Sequence, residues 1–248
     1  MLELTKEFEE IQAVAETWSP EQTLRWAFDT YGNDVAMASA FGVEGMVLID
    51  HASRIHPGFR LFTIDTEFLF PETYDLMDRV EKRYGIKIER EYPKLNPAEQ
   101  ETAYGAALWG HNPDLCCSIR KVEPQKRKLA GLRAWIASIR RDQTSTRAKA
   151  KRVELDPKAD IVKINPLVDW TSAQVWDYVR KHDVPYNALH DRNYPSIGCT
   201  HCTRAVLPGE DPRSGRWSNF GKTECGLHLP DAPAPLVQLP KPIKYGDI

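Results

Sequence analysis

The feature that most limits how this chain can fold is its alternation of short apolar strands with helices. Val35-Ala36-Met37-Ala38 is an apolar run, followed by a turn of small residues and a helix through Val47-Leu48-Ile49. Residues 60–64 read as a second strand, and residues 71–84 as an amphipathic helix stopped by Gly85. Residues 86–89 alternate as a third strand. A helix over about 117–129 leads to a fourth strand at 135–139, and residues 161–164 form a fifth. Residues 1–31 are predicted helical, with a capping signal at Ser19-Pro20-Glu21-Gln22; Thr171-Ser172-Ala173-Gln174 caps a helix running to Lys181. The pattern predicts an α/β fold: a doubly wound, mainly parallel sheet with helices on both faces. Ligands in such sheets bind beyond the C-terminal strand ends. Residues 141–159 lack periodicity and are expected to form a mobile loop. The tail after Leu229 has five prolines in nineteen residues, a composition that no packed element tolerates.

Charge and hydropathy narrow the function. With a formal net charge of −2, the chain has no global pull toward nucleic acid or membrane. Its first residues, Met1-Leu2-Glu3-Leu4-Thr5-Lys6, lack the apolar core of a signal peptide, and no apolar run approaches the roughly 20 residues of a membrane span. A cytoplasmic location is therefore expected, where cysteine clusters serve metals or catalysis rather than disulfides. Between positions 118 and 152, twelve Lys or Arg stand against two acids, although the chain as a whole is slightly acidic. Such a block points to a local anion site, with a solvated helix face and loop as the alternative.

Five cysteines divide four plus one: Cys116-Cys117, the Cys199-x-x-Cys202 pair, and Cys225 alone in Glu224-Cys225-Gly226-Leu227-His228. Four thiolates suit zinc or an iron–sulfur cluster. Adjacent cysteines point apart, which strains one tetrahedral ion and fits separate irons better. Lys121, four residues past Cys117, falls one helical turn on along the same face. Cys225 is left for chemistry; its thiolate needs nearby cations, for which His228, Arg213, Arg216 and Lys222 are the sequence-near candidates. Between the first strand and its helix, Ser39-Ala40-Phe41-Gly42-Val43-Glu44-Gly45 lets backbone N–H groups approach an anion, and no Walker lysine is present. Asp65, at the end of the second strand, suits a ribose hydroxyl or an N-cap.

These motifs recur in a known order. The small loop, Asp65-Thr66, Cys116-Cys117 with Lys121-Val122-Glu123-Pro124, residues 139–143, residues 195–202, Arg213-Ser214-Gly215-Arg216-Trp217 and the Cys225-Gly226-Leu227-His228 arm together resemble the assimilatory adenylylsulfate reductases. That family lies within the phosphoadenylylsulfate reductase group of adenine nucleotide alpha hydrolase-like folds. The likeness covers about residues 33–229, and departs from the family's usual Leu-Asp-Thr-Gly at Ile64-Asp65-Thr66-Glu67. It implies a nucleotide-binding α/β domain over 1–207 with the iron–sulfur site, and a flexible C-terminal arm over 208–248 carrying the nucleophile. A 4Fe–4S cluster is implied on Cys116, Cys117, Cys199 and Cys202. Substrate-binding roles are implied for Ser39, Phe41, Gly42, Asp65, Thr66, Lys121, Arg140, Arg141, Arg213, Arg216 and His228. Arg140 and Arg141 point oppositely if both lie on a strand. The implied reaction has Cys225 attack the sulfur of adenosine 5′-phosphosulfate, release AMP and pass the sulfite to thioredoxin. A homo-oligomer is compatible with this reading; nucleic acid and membrane partners are not expected. The rivals are a cluster-free phosphoadenylylsulfate (PAPS) reductase, an iron–sulfur tRNA-thiolating enzyme and a non-catalytic zinc module. The four extra cysteines argue against the first, and the Glu224-to-His228 arm against the second.

Overall fold

The computed structural model describes residues 2–228 apart from 219 and 223, so the proline-rich tail lies outside the described residues. Two helices, α1 (Leu2–Ala15) and α2 (Pro20–Tyr31), precede the sheet. α2 opens on the expected capping box, with Gln22 N donating to Ser19 Oγ at 3.2 Å and Ser19 N donating to Gln22 Oε1 at 2.8 Å.

The strands are β1 (Val35–Ala38), β2 (Leu61–Ile64), β3 (Ile88–Glu91), β4 (Ala134–Ile136), β5 (Val153–Asp156) and β6 (Ile161–Ile164). They lie in the order β3-β2-β1-β4-β6-β5, and only the β5–β6 pair is antiparallel. The chain winds outward from β1 through β2 to β3, then resumes at β4 on the other side of β1. The crevice between β1 and β4 is therefore the switch point where a ligand is expected.

Helix α3 (Val43–Ile55) follows β1 and α4 (Pro71–Tyr84) follows β2. After β3 come α5 (Pro97–Tyr104), α6 (Leu108–His111), α7 (Pro113–Cys117) and α8 (Glu123–Leu129); α9 (Ser172–His182) follows β6. Strand alternation supplies both faces with core. Val35 and Met37 join Leu24, Met46, Leu76 and Val175 on one side, and Ala36 joins Phe62, Trp135 and Leu129 on the other. α4 stops where Gly85 takes the left-handed conformation, at φ 64°. Among the described residues, no helix is long and apolar enough to cross a membrane.

Three expectations change. Residues 141–159 are not a featureless loop: they hold β5, whose Val153 is fully buried, and two 3₁₀ turns, Arg141–Gln143 and Ser145–Arg147. Antiparallel pairing at a sheet edge needs only four residues, too few for periodicity to register. The third strand lies two residues later than predicted, because an edge strand can carry Glu89 and Glu91 when Arg60 and Lys128 meet them. The helix expected over 117–129 is split by a π-helical stretch, Ser118–Val122, which turns Arg120 and Lys121 inward.

Candidate active site and thiol nest

A cavity of about 770 Å³ opens beyond the C-terminal ends of β1, β2 and β4. The loop after β1 forms its floor. Ser39 Oγ accepts the Phe41 N–H at 3.0 Å, and Phe41, at φ 57°, sends its ring into the core rather than into the cavity. Gly42 caps α3 without a side-chain hydrogen bond, leaving the first helical N–H groups for an anion. Gly45 cannot carry a Cβ, which would stand 2.6 Å from Ser39 Oγ. Ser39 and Gly42 thus line the cavity as expected, while Phe41 shapes the loop from behind.

Asp65 does not line the cavity. It is buried, and its Oδ1 accepts from Glu67 N at 2.9 Å and from the Tyr74 hydroxyl at 2.8 Å, so its side chain organises the turn. Thr66 does line it, with Oγ1 3.3 Å from Cys199 Sγ. Glu67 takes φ 57°, the left-handed region that glycine enters without strain. Its carboxylate meets Arg120 Nη1 at 3.3 Å; Arg120 is almost fully buried, donates to Thr66 O at 3.0 Å and lies 4.3 Å from the centre of the Phe68 ring. The departure from the family pattern is thereby tied to a buried cation.

The four clustered cysteines meet. Cys116 and Cys117 end α7, Cys199 pairs with the backbone beside Leu69, and Cys202 N donates to Cys199 O at 3.0 Å. All four line a void of about 10 Å³ with Phe68, Trp109, Arg120, Lys121 and His201. Trp109 and His201 stack over it at 3.9 Å and 11°. Among the described residues, no group of three or more His, Cys, Asp or Glu is placed to hold a metal ion. Burial pushes the Cys116 and Cys202 thiols up to about 11. Burial opposes ionisation of Cys199 most strongly, but Lys121, the Thr66 hydroxyl and Arg216 together outweigh it and lower that thiol below its ordinary value.

Lys121 lines both the void and the large cavity. Its burial would lower the ammonium pKa, yet the charges of Cys199, Cys225 and Cys117 raise it instead. Arg140 and Arg141 part company. Arg140 is buried on the cavity wall against Glu44, 3.0 Å from Nε, and Asp142; Arg141 turns away to Glu16 at 2.6 Å and Ala150 O at 2.8 Å. Arg213 and Arg216 line the cavity. Arg216 Nη1 donates to Ser196 Oγ at 3.3 Å and Ile197 O at 3.1 Å, and its guanidinium lies against Gly198, where any Cβ would collide with it. Lys222 bonds Asp114 and Pro113 O.

Cys225 and His228 both reach the cavity. The Cys225 charge bears on Lys121 and Arg213. His228 is not the cation expected from its place in the arm. Burial, then Arg147, Lys163, Arg213 and Lys158, hold it neutral, stacked on Trp135 at 5.8 Å and 9°. Two wall residues were not singled out from the sequence. Arg147 sits in the stretch read as a loop, and Glu224 was seen only as part of the Cys225 motif. No local pattern marks either residue, because each is fixed by the other 77 positions away.

Comparison with known proteins follows the same lines. Residues 34–205 match the family model of the phosphoadenosine phosphosulfate reductase domain. The chain is 49% identical over 213 residues to the adenosine 5′-phosphosulfate reductase of Staphylococcus haemolyticus, covering 86% of this chain and 88% of that protein. It is 50% identical over 209 residues to adenosine 5′-phosphosulfate reductase 2 of Bacillus subtilis, covering 83% and 87%. The crystal structure of phosphoadenylyl-sulfate reductase from Candida auris, a phosphate complex, superposes with a TM-score of 0.72 at 34% identity, covering 81% of this chain and 97% of that one. Sheet order, cavity and sequence agree: the chain belongs to the phosphoadenosine phosphosulfate reductase family.

Proposed function

We propose that this protein reduces adenosine 5′-phosphosulfate to sulfite and AMP, with thioredoxin as electron donor, in the cytoplasmic assimilation of sulfate. The observation that carries this reading is Cys225 on the wall of a cationic cavity, with Lys121 shared between that cavity and the thiol void. Phe62, Ile64 and Ala137 offer an apolar wall suited to a purine, while Lys121, Arg140, Arg213, Arg216 and the start of α3 suit phosphate and sulfate oxygens. Neutral His228 can give one N–H to the same anion. Five of the twelve cations in the basic block are buried, which leaves them unsuited to a nucleic-acid surface.

The Cys225 thiolate bonds to the substrate sulfur, and the sulfur–oxygen bond breaks with its electron pair leaving on AMP. A thioredoxin thiolate then attacks Cys225 Sγ, and the electron pair of the Cys225–sulfonate bond departs with sulfite. The second thioredoxin thiol resolves the mixed disulfide, so the two electrons come from thiols. Cys116, Cys117, Cys199 and Cys202 would hold a 4Fe–4S cluster, which would supply structural support and local charge beside Lys121. The softness of four thiol donors lining one small void supports this reading.

Anaerobically purified protein should carry about four irons per chain. Mixed with adenosine 5′-phosphosulfate alone, it should gain one sulfonate of about 80 Da on the Cys225 peptide, and thioredoxin should remove it as sulfite. Cys225→Ser should keep the iron and lose turnover. A sulfonate on another residue, or higher kcat/KM for the 3′-phosphorylated substrate, would overturn the reading.

A further inference from the structure

Glu224 stands next to the nucleophile and is held by several partners at once. Its carboxylate is 3% exposed and forms a two-pronged pair with Arg147, Nε to Oε1 and Nη2 to Oε2, both at 2.8 Å. The Thr144 hydroxyl donates to Oε1 at 3.1 Å, and Arg213 Nη2 lies 3.6 Å from Oε2. On the other side of Cys225, Lys158 Nζ donates to Gly226 O at 2.8 Å, and Gly226 turns the chain at φ 92°. Both grips come from the segment between β4 and β6.

The pair also reaches the anion end of the cavity. Arg147 Nη1 donates to Gln143 Oε1 at 2.6 Å, and Gln143 Nε2 donates to Glu44 Oε1 at 3.0 Å. That same oxygen accepts from Arg140 Nε at 3.0 Å. An unbroken chain of polar contacts therefore runs from Glu224 to Arg140. A bidentate guanidinium–carboxylate pair fixes direction as well as distance. A buried pair is weak evidence for stability in itself, because desolvation offsets its attraction, and its geometric role is the better-attested one.

We propose that Arg147 is a positioning residue for Cys225: its fork on Glu224 clamps the arm so that the thiol stands in register with the anion end of the cavity. Lys158 is the second, weaker grip, and the arm is held closed by polar contacts that can be exchanged during the reaction. This inference rests on the reading of Cys225 as nucleophile, but its first test needs no substrate.

In anaerobically purified protein, the rate at which iodoacetamide modifies the Cys225 peptide reads arm closure directly. Arg147→Ala and Glu224→Gln should each raise it by about tenfold, and the double variant should show no further rise. Lys158→Met should raise it by about threefold. AMP affinity, measured by equilibrium dialysis, should change less than about threefold, whereas kcat should fall about 100-fold with KM little changed. Arg147→Lys, which keeps charge but not the fork, should recover only part of the loss and shows that a charge alone keeps the protein folded. Unaltered iodoacetamide rates in both single variants would overturn the proposal. So would a rise in KM with kcat intact, which would make Arg147 a substrate contact. If wild-type protein did not reduce the phosphosulfate, the proposed function would fail while the iodoacetamide result still stood.

Discussion

Two cationic regions of this protein are built from similar residues and end in opposite states. Along the β3 edge, Arg60, Arg127 and Lys128 are matched by Glu89, Glu91 and Glu123 at 2.5–3.8 Å. In the cavity, Arg140 and Arg213 also face carboxylates, Glu44 at 3.0 Å and Glu224 at 3.6 Å, but Arg216 is held by neutral oxygens and Lys121 lies beside thiols. Cations matched by the protein's own carboxylates stiffen an edge strand. Arg216 and Lys121, with neutral or thiol partners, store an attraction that an incoming anion releases. The basic block from 118 to 152 contributes Arg127 and Lys128 to the first region and Lys121 to the second, so block charge alone did not separate them.

The largest effect should come from the unmatched side. Arg216→Ala should lower kcat/KM for adenosine 5′-phosphosulfate by on the order of 10²- to 10³-fold, since a charged donor to the phosphosulfate is lost. The melting temperature should change little. A loss below about fivefold would break the contrast between the two regions.

Gly198→Ala tests the same guanidinium without removing it. A methyl group there must displace Arg216, and kcat/KM should fall by about tenfold while thermal stability stays near wild type. An unchanged kcat/KM would mean that the position of Arg216 is not set by Gly198.

The smallest effect belongs to the matched side. Hydrogen bonding from Arg60 is the main cause that holds Glu89 at about 2, below its ordinary 4.5. Its side chain is 33% exposed, so solvent screening leaves about 1 kcal/mol from the pair. Glu89→Gln should lose that amount in urea unfolding at neutral pH and leave kcat/KM unaltered. The margin of wild type over the variant should be full above pH 4.5 and vanish as pH falls through about 2. A kinetic defect here would erase the distinction.

The sequence made the central strands, their helices and the four-plus-one cysteine division legible, because each rests on local pattern. β1, α4 and β6 lie where the apolar runs place them. What escaped depends on distant partners. Asp65 suits a ribose hydroxyl or a turn cap by sequence, and its Oδ1 takes the Glu67 amide and the Tyr74 hydroxyl. Arg141 differs from Arg140 only in which side of the chain faces Glu16. His228 loses its charge to burial, which no spacing reveals. Arg147 has no recognisable motif around it; its role exists only because Glu224, 77 positions later, comes to meet it.

The edge strand β5 carries a consequence for how this gene can change length. Connections on a protein surface ordinarily absorb insertions and deletions with little harm. Between β4 and β6, however, Arg147 and Lys158 lie on either side of β5, and both hold the backbone or side chain flanking Cys225. One residue gained or lost on either side of that strand would shift one grip relative to the other. The segment that looks most tolerant of editing is therefore among those whose spacing is most tightly fixed.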